Sequence, residues 1–456
     1  MSAPTTSAVE TLINRLSEIP NDPALFWRGR EYTYQEFLDS IEVWNKRLEE
    51  DGINAGDVCA FYGDYSPATS ALMFALMQRG AVLVPLTGDV DAELPELLNM
   101  CGAKVLYRFD ENDDFVLEAQ PNCVLPELIS TFNEKGHPGL VVFTSGSTGK
   151  PKGILQDVEF VARKFVEKRK GWRTILFLLM DHFGGFNTFL SSFAYGGTAV
   201  CTTSRDPETM ARTIQDGKVT LLPTTPTFLN FMIVSRQYAV YDLSSVELVT
   251  YGTEPMPETT LSQLSEVFPS ARIKQTYGLS ELGVLRSQSK DDGSLWLKVG
   301  GKGFETRITD GILWIRSEAN MVGYLNAPNP FDEEGWLCTG DVVEEKDGYI
   351  RFMGRETEVI NTGGKKVFPL EVENVLMQLP NIRNAAVEAR PHPIMGQVVQ
   401  ARVSLIEPED PADLSERLRL ECNKTMARYK VPVRFVVVED ETLHSARFKK
   451  LRANLS

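Results

Sequence analysis

Along the first two-thirds of the chain, short apolar runs alternate with stretches whose apolar residues recur at helical spacing. "VCAFYG" precedes "SPATSALMFALMQRG", "AVLVPL" precedes "AELPELLNMCG", "KVTLLPTT" precedes "TFLNFMIVSR", and "SSVELVTYG" precedes "ETTLSQLSEVFP". Strand–turn–helix alternation of this kind predicts a largely parallel α/β sheet with covering helices. The strands lack an alternating polar face, as expected for strands buried on both sides. The texture then changes: "GILWIRS", "GWLCTGDVVEEKDGYIRFMGR" and "TEVINTGGKKVF" read as short strands with glycine-bearing turns, a small antiparallel unit. After Arg355, "FPLEVENVLMQLP" reads as a helix, "IRNAAVEARP" and "QVVQARVSLIE" as strands, "DLSERLRLECNKTMA" as a helix with Asp413 or Ser415 near its cap, and "VRFVVVED" as a strand. The predicted fold class is α/β: a large N-terminal α/β domain with parallel sheets and a small antiparallel subdomain over 1–354, plus a small α+β domain over 355–456.

Size and charge narrow the function. The 456 residues can bury a large core, and the composition (43% hydrophobic, 24% charged) is that of a globular protein. A net charge of −15 repels nucleic acid and anionic membrane alike. The basic residues of the last segment (Lys424, Arg428, Lys430, Arg434, Arg447, Lys449, Lys450, Arg452) run against that balance and suit an anionic ligand. The six cysteines stand singly and there are four histidines, so neither a zinc site nor a disulfide framework is indicated. No secretory signal pattern and no apolar run of membrane-spanning length occurs, so the expectation is a cytoplasmic protein without a membrane span.

The chemistry concentrates in "FTSGSTGKPKG", Phe143 to Gly153. Gly146, Gly149 and Gly153 allow close backbone approach, so that successive N–H groups can converge on an anion. Thr144, Ser145, Ser147 and Thr148 add hydroxyl donors, and Lys150 and Lys152 add charge. A strand-like run precedes the loop and a helical run, "DVEFVARKFVEKRKG", follows it, which predicts a phosphate loop joining strand to helix. A Walker A loop is excluded because Gly149-Lys150 is followed by Pro151 rather than Ser or Thr.

That loop, taken with "YGTEPM" (Tyr251 to Met256), "QTYGLSELG" (Gln275 to Gly283), "WLCTGD" (Trp336 to Asp341) and "GRETEVINTGGKKVFPLEVE" (Gly354 to Glu373), resembles the adenylate-forming (ANL) superfamily, in its acyl-CoA synthetase and acyl-AMP ligase branch. Five motifs in order over nearly the whole chain make the resemblance specific. It implies ATP- and Mg²⁺-dependent activation of a carboxylic acid to acyl-AMP and pyrophosphate, then transfer of the acyl group to a thiol, either CoA or the phosphopantetheine of an acyl carrier protein. It also implies a C-terminal domain that is mobile between the two steps.

The resemblance carries roles onto particular residues. Thr144, Ser145, Gly146, Ser147, Thr148, Gly149 and Lys152 correspond to the β- and γ-phosphate cradle. Glu281, with Thr148, corresponds to the Mg²⁺ site, where a hard oxygen donor suits the ion. Gly252, Thr253, Glu254, Gln275, Tyr277, Gly278 and Ser280 correspond to the adenine and adenylate wall, Asp341 to the ribose-binding carboxylate, and Arg355 to a further contact with that sugar. His182 matches the position beside the reacting carboxylate; Phe183, Gly184, Gly185, Asn187, Thr227, Phe228, Tyr251 and Gly278 are the expected acyl pocket, with Gly184 and Gly185 leaving room for a long or flat acid. Asp181 stands one position before the site at which amino-acid-activating relatives carry an aspartate, which makes an amino-acid substrate less favoured. Gly363, Gly364 and Lys365 match the loop that lines the thiol tunnel. "SARFKKLRANL" aligns Lys449 with the adenylation lysine, although Phe448 replaces the usual glycine and Lys450 stands as a rival. Thr357 departs from the usual hinge residue. The alternatives are an acyl-AMP ligase that loads a carrier protein or forms an amide, and a nucleotide-binding sensor without catalysis.

Overall fold

The parallel strands predicted for the first two-thirds of the chain form two sheets. The computed structural model describes residues 7–88, 93–145, 151–291, 293–301, 303–445 and 450–452. Among these residues one seven-stranded sheet runs Arg272–Gln275, Leu248–Tyr251, Leu221–Thr224, Arg173–Ile175, Thr198–Val200, Pro23–Trp27, Arg30–Thr33. It is parallel except for its last pair. The second runs Gly323–Tyr324, Pro151–Asp157, Gly139–Ser145, Val82–Leu86, Val58–Tyr62, Val105–Phe109, Phe115–Ala119, with its central strands parallel and both edges antiparallel.

Helices between these sheets carry the largest core. Thr33 and Glu36 close a capping box on the helix Tyr34–Glu50. The helix Pro67–Arg79 has a Ser66 cap, Pro67 in its first turn and left-handed Gly80 at its end. Against both packs the helix Phe183–Ala194: Phe193 stacks on Phe37 at 4.8 Å and meets Phe74 edge-on at 5.3 Å. Aromatic pairs of this geometry add to the burial energy, so the helix is anchored at its C-terminal end.

A third, antiparallel sheet begins earlier than the sequence pattern indicated, at Tyr277–Leu279, and extends through Trp336–Lys346 to Tyr349–Arg355. From Ile360 the chain builds a five-stranded sheet covered by the helices Pro369–Leu376 and Pro411–Thr425, with an apolar cluster of its own (Val372, Leu376, Val387, Val399, Leu414, Leu418). The cap of the second of these helices is Asp410, which accepts from Ala412 N and Asp413 N; Asp413 and Ser415 lie inside the helix. The proline at the first helical position explains the shift, since it fixes the start ahead of both.

No helix among the described residues is long and apolar enough to cross a membrane. All six cysteines are free.

Candidate active site

The glycine-rich loop connects two antiparallel strands, not a strand and a helix. Gly139–Ser145 pairs with Pro151–Asp157 in a register that sets Thr144 opposite Lys152. The apolar "GILQ" continues the sheet, and the helix Val158–Arg163 starts only where Asp157 caps it. Gly146, Ser147, Thr148 and Gly149 lie outside the described residues, as does Lys449. Directly opposed residues of an antiparallel pair share a face, so Thr144 and Lys152 stand together at the base of the hairpin. Gly153 serves packing rather than anion approach: a Cβ there would lie 2.9 Å from Leu325 Cδ1, and its N–H donates to Asn326 Oδ1 at 3.1 Å.

From the hairpin a polar chain runs to the next motif. The Lys152 ammonium lies 5.0 Å from the ring centroid of Tyr324, and the Tyr324 hydroxyl donates to Glu281 Oε1 at 2.7 Å. Burial, reinforced by that bond, pushes the Tyr324 phenol far above its usual range, so it stays a donor. Tyr324 is a residue the motif reading missed; its only signal is the Gly-Tyr-Leu-Asn run at the edge of the second sheet. Gln156 Nε2 fixes the same turn by donating to the Ser280 carbonyl. Among the described residues no group of three or more His, Cys, Asp or Glu side chains is arranged to hold a metal. Glu281 itself offers a hard oxygen donor of the kind Mg²⁺ and Ca²⁺ take.

The opposite wall is built around Asp341, which is 8% exposed. Tyr277 donates to its Oδ2 at 2.6 Å, and Arg355 Nε reaches its Oδ1 at 2.8 Å while Arg355 Nη1 donates to the Thr339 carbonyl at 2.9 Å. Each carboxylate oxygen keeps acceptor capacity beyond its one protein donor, which is what two vicinal hydroxyls require. Burial raises the Asp341 pKa against the pull of Arg355 and Tyr277. Phe352 stacks on Tyr277 at 4.6 Å and covers one face of the ring.

Backbone constraints shape the rest of this wall. A Cβ at Gly252 would come 2.9 Å from the Thr276 carbonyl, and one at Gly278 would come 2.8 Å from that of Gly283. Thr253 sits at φ +71°, a region that non-glycine residues adopt at a cost of about 1–3 kcal/mol and that clusters at functional sites. Gln275 is buried, with its side-chain oxygen 3.5 Å from the Tyr251 hydroxyl. The Glu254 carboxylate is spent elsewhere, accepting from Thr227 N at 2.9 Å and from Lys450 N at 3.2 Å.

His182 heads the anchored helix, and Asn187 lies one turn beyond Phe183 on the same face. Phe183 is buried, and its Cε1 would stand 3.6 Å from a Cβ at Gly283. Asp181 accepts from Thr87 Oγ1 at 2.9 Å and faces the second sheet. A Cβ at Gly184 would make only an ordinary contact, with Leu178 Cδ1 at 3.5 Å. Gly185 differs: a Cβ there would lie 1.9 Å from the Leu179 carbonyl oxygen, so this glycine is demanded by the chain's own turn and gives no room to a substrate. Tyr251 and Phe228 are core residues, Phe228 packing on Phe177 at 4.5 Å.

The C-terminal segment is docked on this face. His444 meets Phe231 edge-on at 4.5 Å, and Asn374 Oδ1 accepts from Glu258 N at 3.3 Å. Lys450 Nζ lies 3.5 Å from Oε2 of fully buried Glu373. Gly363, Gly364 and Lys365 are exposed; Gly363 N donates to the Met395 carbonyl and the Lys365 ammonium lies over Tyr429, both within the C-terminal unit. Between core and C-terminal unit opens a cleft of about 870 Å³ whose walls include Thr87, Leu179 and Phe231 on one side and Arg383 and His444 on the other.

The profile of the family described as AMP-binding enzyme matches residues 14–325, and that of the AMP-binding enzyme C-terminal domain matches residues 371–449. A 2-succinylbenzoate–CoA ligase of Geobacillus kaustophilus is 28% identical, over 93% of this chain and 93% of that protein. A fatty acid–[acyl-carrier-protein] ligase, ScoC, of Streptomyces coeruleorubidus is 26% identical over 94% and 92%. The crystal structure of the anthranilate CoA ligase AuaEII with anthranoyl-AMP superposes with a TM-score of 0.83 at 22% identity, covering 97% of this chain and 95% of that one, a likeness of fold.

Proposed function

The chain belongs to the AMP-binding enzyme family, and from that premise we propose how its residues divide the work of an AMP-forming acid–thiol ligase. The reaction is the ATP-dependent activation of a small carboxylic acid followed by thioester formation, with Mg²⁺ and with CoA as co-substrate. Residues 1–354 supply the ATP and acyl sites, and 355–456 the mobile domain with the adenylation lysine.

In the first half-reaction a carboxylate oxygen of the acid attacks the α-phosphorus of ATP and pyrophosphate leaves. The catalytic need is charge neutralisation and alignment, not covalent help from the protein. Thr144 and Lys152 stand at the mouth of the hairpin to receive the outer phosphates, with Ser145, Gly146, Ser147, Thr148 and Gly149 completing the loop. Glu281, oriented by Tyr324, would hold Mg²⁺ together with Thr148, and the ion would supply neutralisation of phosphate charge. Asp341, set by Tyr277 and Arg355, accepts the ribose hydroxyls. Gly252, Thr253, Gln275, Gly278 and Ser280 flank the adenylate with backbone or short side chains, and Glu254 locks the C-terminal segment against that wall through Lys450 N. His182 lies beside the reacting carboxylate, with Phe183, Gly184, Asn187 and Thr227 around the acyl group.

The observation that carries this reading is the docking of the segment around Lys450 on Glu254 and Phe231 while Gly363, Gly364 and Lys365 are exposed and contact only their own unit. It is the arrangement expected of the adenylating state, and rotation of 355–456 would exchange the lysine segment for the Gly363 loop in thioester formation. The cleft beside Thr87 and Leu179, the latter three residues before His182 in the chain, is the route we assign to the acceptor. The free cysteines fit a reducing, cytoplasmic setting.

Carboxylate-dependent ATP–pyrophosphate exchange without a thiol tests the reading. Exchange with one class of acid establishes adenylation and names the class; ATP binding without exchange for any acid overturns it.

A further inference from the structure

Phosphate charge enters this reaction twice, on ATP and on CoA, and the groups described above serve only the first. The cleft assigned to the acceptor is walled in part by Asp64, Asp206, Asp440 and Glu441. The neutral pantetheine arm of CoA can pass such walls, whereas its diphosphate and 3′-phosphate are repelled by them. The nucleotide end needs a different resting place.

The C-terminal unit offers one. Beside the Gly363 loop lies an open groove of about 620 Å³, whose walls include Thr362, Lys365, His392, Arg428 and Tyr429. No residue lining it is acidic, in a chain of net charge −15. Lys365 and Arg428 are exposed, and among the described residues neither has a carboxylate within ion-pair distance. Lys430, 6.0 Å from the Tyr429 ring, is by contrast paired with Glu371 at 2.5 Å. The Lys365 ammonium rests 4.7 Å from the centroid of the same ring, a weak hold at an exposed site. His392 Nδ1 accepts from the backbone N–H groups of Ile394 and Met395, at 3.3 and 3.1 Å, so the neutral ring keeps its proton on Nε2 as a donor. Thr362 is 6% exposed, and its Oγ1 has no hydrogen-bond partner among the described residues. Two cations without acids to oppose them, two neutral donors and an aromatic ring suit a phosphorylated ligand that carries a planar base.

We propose that this groove holds the phosphorylated nucleotide end of CoA, with Arg428 and Lys365 on its phosphates, and that it does so before the C-terminal unit rotates. This rests on the thioester-forming reading of the site. The order of events follows from access: the groove is open while the segment around Lys450 is docked on Glu254 and Phe231. Thr362 and Lys365 flank Gly363 and Gly364 and pair with each other across the turn, so groove and loop move as one body. The rotation that carries the loop to the acyl-AMP then delivers a thiol already tethered, at a high effective concentration.

Two measurements on the full chain test this. In thioester formation CoA is compared with pantetheine, which has the same thiol arm and no phosphate. Arg428→Gln should raise the KM for CoA by roughly tenfold, the usual result of losing one charge-assisted contact, and leave that for pantetheine unchanged. A merely structural role would move both. Arg428→Lys, which keeps the charge, should recover most of the loss. Adenosine 3′,5′-bisphosphate, titrated calorimetrically without ATP or acid, should bind the wild type and bind Arg428→Gln more weakly by a similar factor. Equal effects on CoA and pantetheine, or bisphosphate binding indifferent to Arg428, overturn the proposal. So does turnover with a phosphopantetheinylated carrier protein but not with CoA, since the cations would then face an acidic protein surface. If no acid supports pyrophosphate exchange the adenylation reading falls, and the bisphosphate titration, which needs no reaction, still decides whether the groove binds.

Discussion

Lys450 directs its ammonium into the C-terminal unit, 3.5 Å from Oε2 of Glu373, and Arg452 binds the same carboxylate through Nε and Nη2 at 2.9 and 2.8 Å. The side chains of Lys450 and Glu373 are 8% and 0% exposed, so this is a buried triad rather than a surface pair. A lysine engaged in this way favours our proposal that the neighbouring Lys449, not Lys450, is the adenylating residue. Lys449→Ala should therefore slow exchange by roughly 10²–10³, typical of losing one transition-state donor, while thioester formation from pre-made acyl-AMP survives. Lys450→Ala should change exchange far less and lower the melting temperature instead. Equal loss of exchange in both variants would reverse the assignment.

The same triad sets an acid limit on stability. Burial alone would raise the Glu373 pKa, but Arg452 and Lys450, with the Val387 N–H, take it down to about 2. A carboxylate lowered in the folded state stabilises the protein above its ordinary value of 4.5. That contribution is lost as pH falls through the folded value. Thermal melts should thus show wild type losing stability between pH 4.5 and about 2. Glu373→Gln, which leaves the buried Lys450 without its carboxylate and Arg452 with Glu358 alone, should be less stable at neutral pH by about 3–5 kcal/mol and flatter across that window.

Asp341 has the opposite shift, and the consequence appears in binding. Its burial raises its pKa, so protonation begins at a higher pH than for an ordinary carboxylate. A protonated Asp341 offers less acceptor capacity to ribose hydroxyls, so ATP affinity should weaken on the acid side from above the ordinary carboxylate range. Asp341→Asn should bind ATP more weakly at neutral pH, and its affinity should not vary with pH in that range. An acid limb retained in the Asn variant would place the titrating group elsewhere.

Sequence patterns exposed the motifs but not their partners. The hairpin, "YGLSE" and "TGD" are legible because each needs particular residues at fixed local spacing. Tyr324 is not legible, because its link to Glu281 comes from the edge strand Gly323–Tyr324 pairing with Pro151–Asp157 far away in sequence. The helix expected straight after the phosphate loop gave way to a strand because "GILQ" is completed by the sheet, a tertiary effect that outweighs local periodicity. Glycines misled in both directions. Gly153 and Gly185 look like room for a ligand in the sequence, and the structure fills both positions with Leu325 and the Leu179 carbonyl.

Gly184 and Gly185 make a matched pair for testing that last point. A methyl at Gly185 would meet the Leu179 oxygen at 1.9 Å, backbone that cannot step aside, whereas at Gly184 it finds only Leu178 Cδ1 at 3.5 Å. Gly185→Ala should give little soluble protein or a melting temperature many degrees lower, through overpacking worth about 1–3 kcal/mol or more. Gly184→Ala should fold normally and alter kcat/KM between long and short acids. Comparable melting of the two variants would show that the turn at Leu179 can yield.

Tyr324 gives the most direct test of the polar chain from Lys152 to Glu281. Its hydroxyl, 2.7 Å from Glu281 Oε1, fixes the carboxylate that we assign to Mg²⁺, and its ring carries the Lys152 ammonium at 5.0 Å. Tyr324→Phe keeps the ring and its cation contact but removes the donor. Outer partners of this kind typically contribute 10–100-fold to metal affinity or activity, so exchange should fall by about that factor at limiting Mg²⁺ and recover in part when Mg²⁺ is raised. Tyr324→Leu also removes the ring, so it should additionally raise the KM for ATP, which excess Mg²⁺ would not restore. Glu281→Gln should lose more than either, because the ligand itself is gone. If Tyr324→Phe matches wild type at every Mg²⁺ concentration, the hydroxyl only braces the edge strand and Glu281 is positioned by its backbone alone.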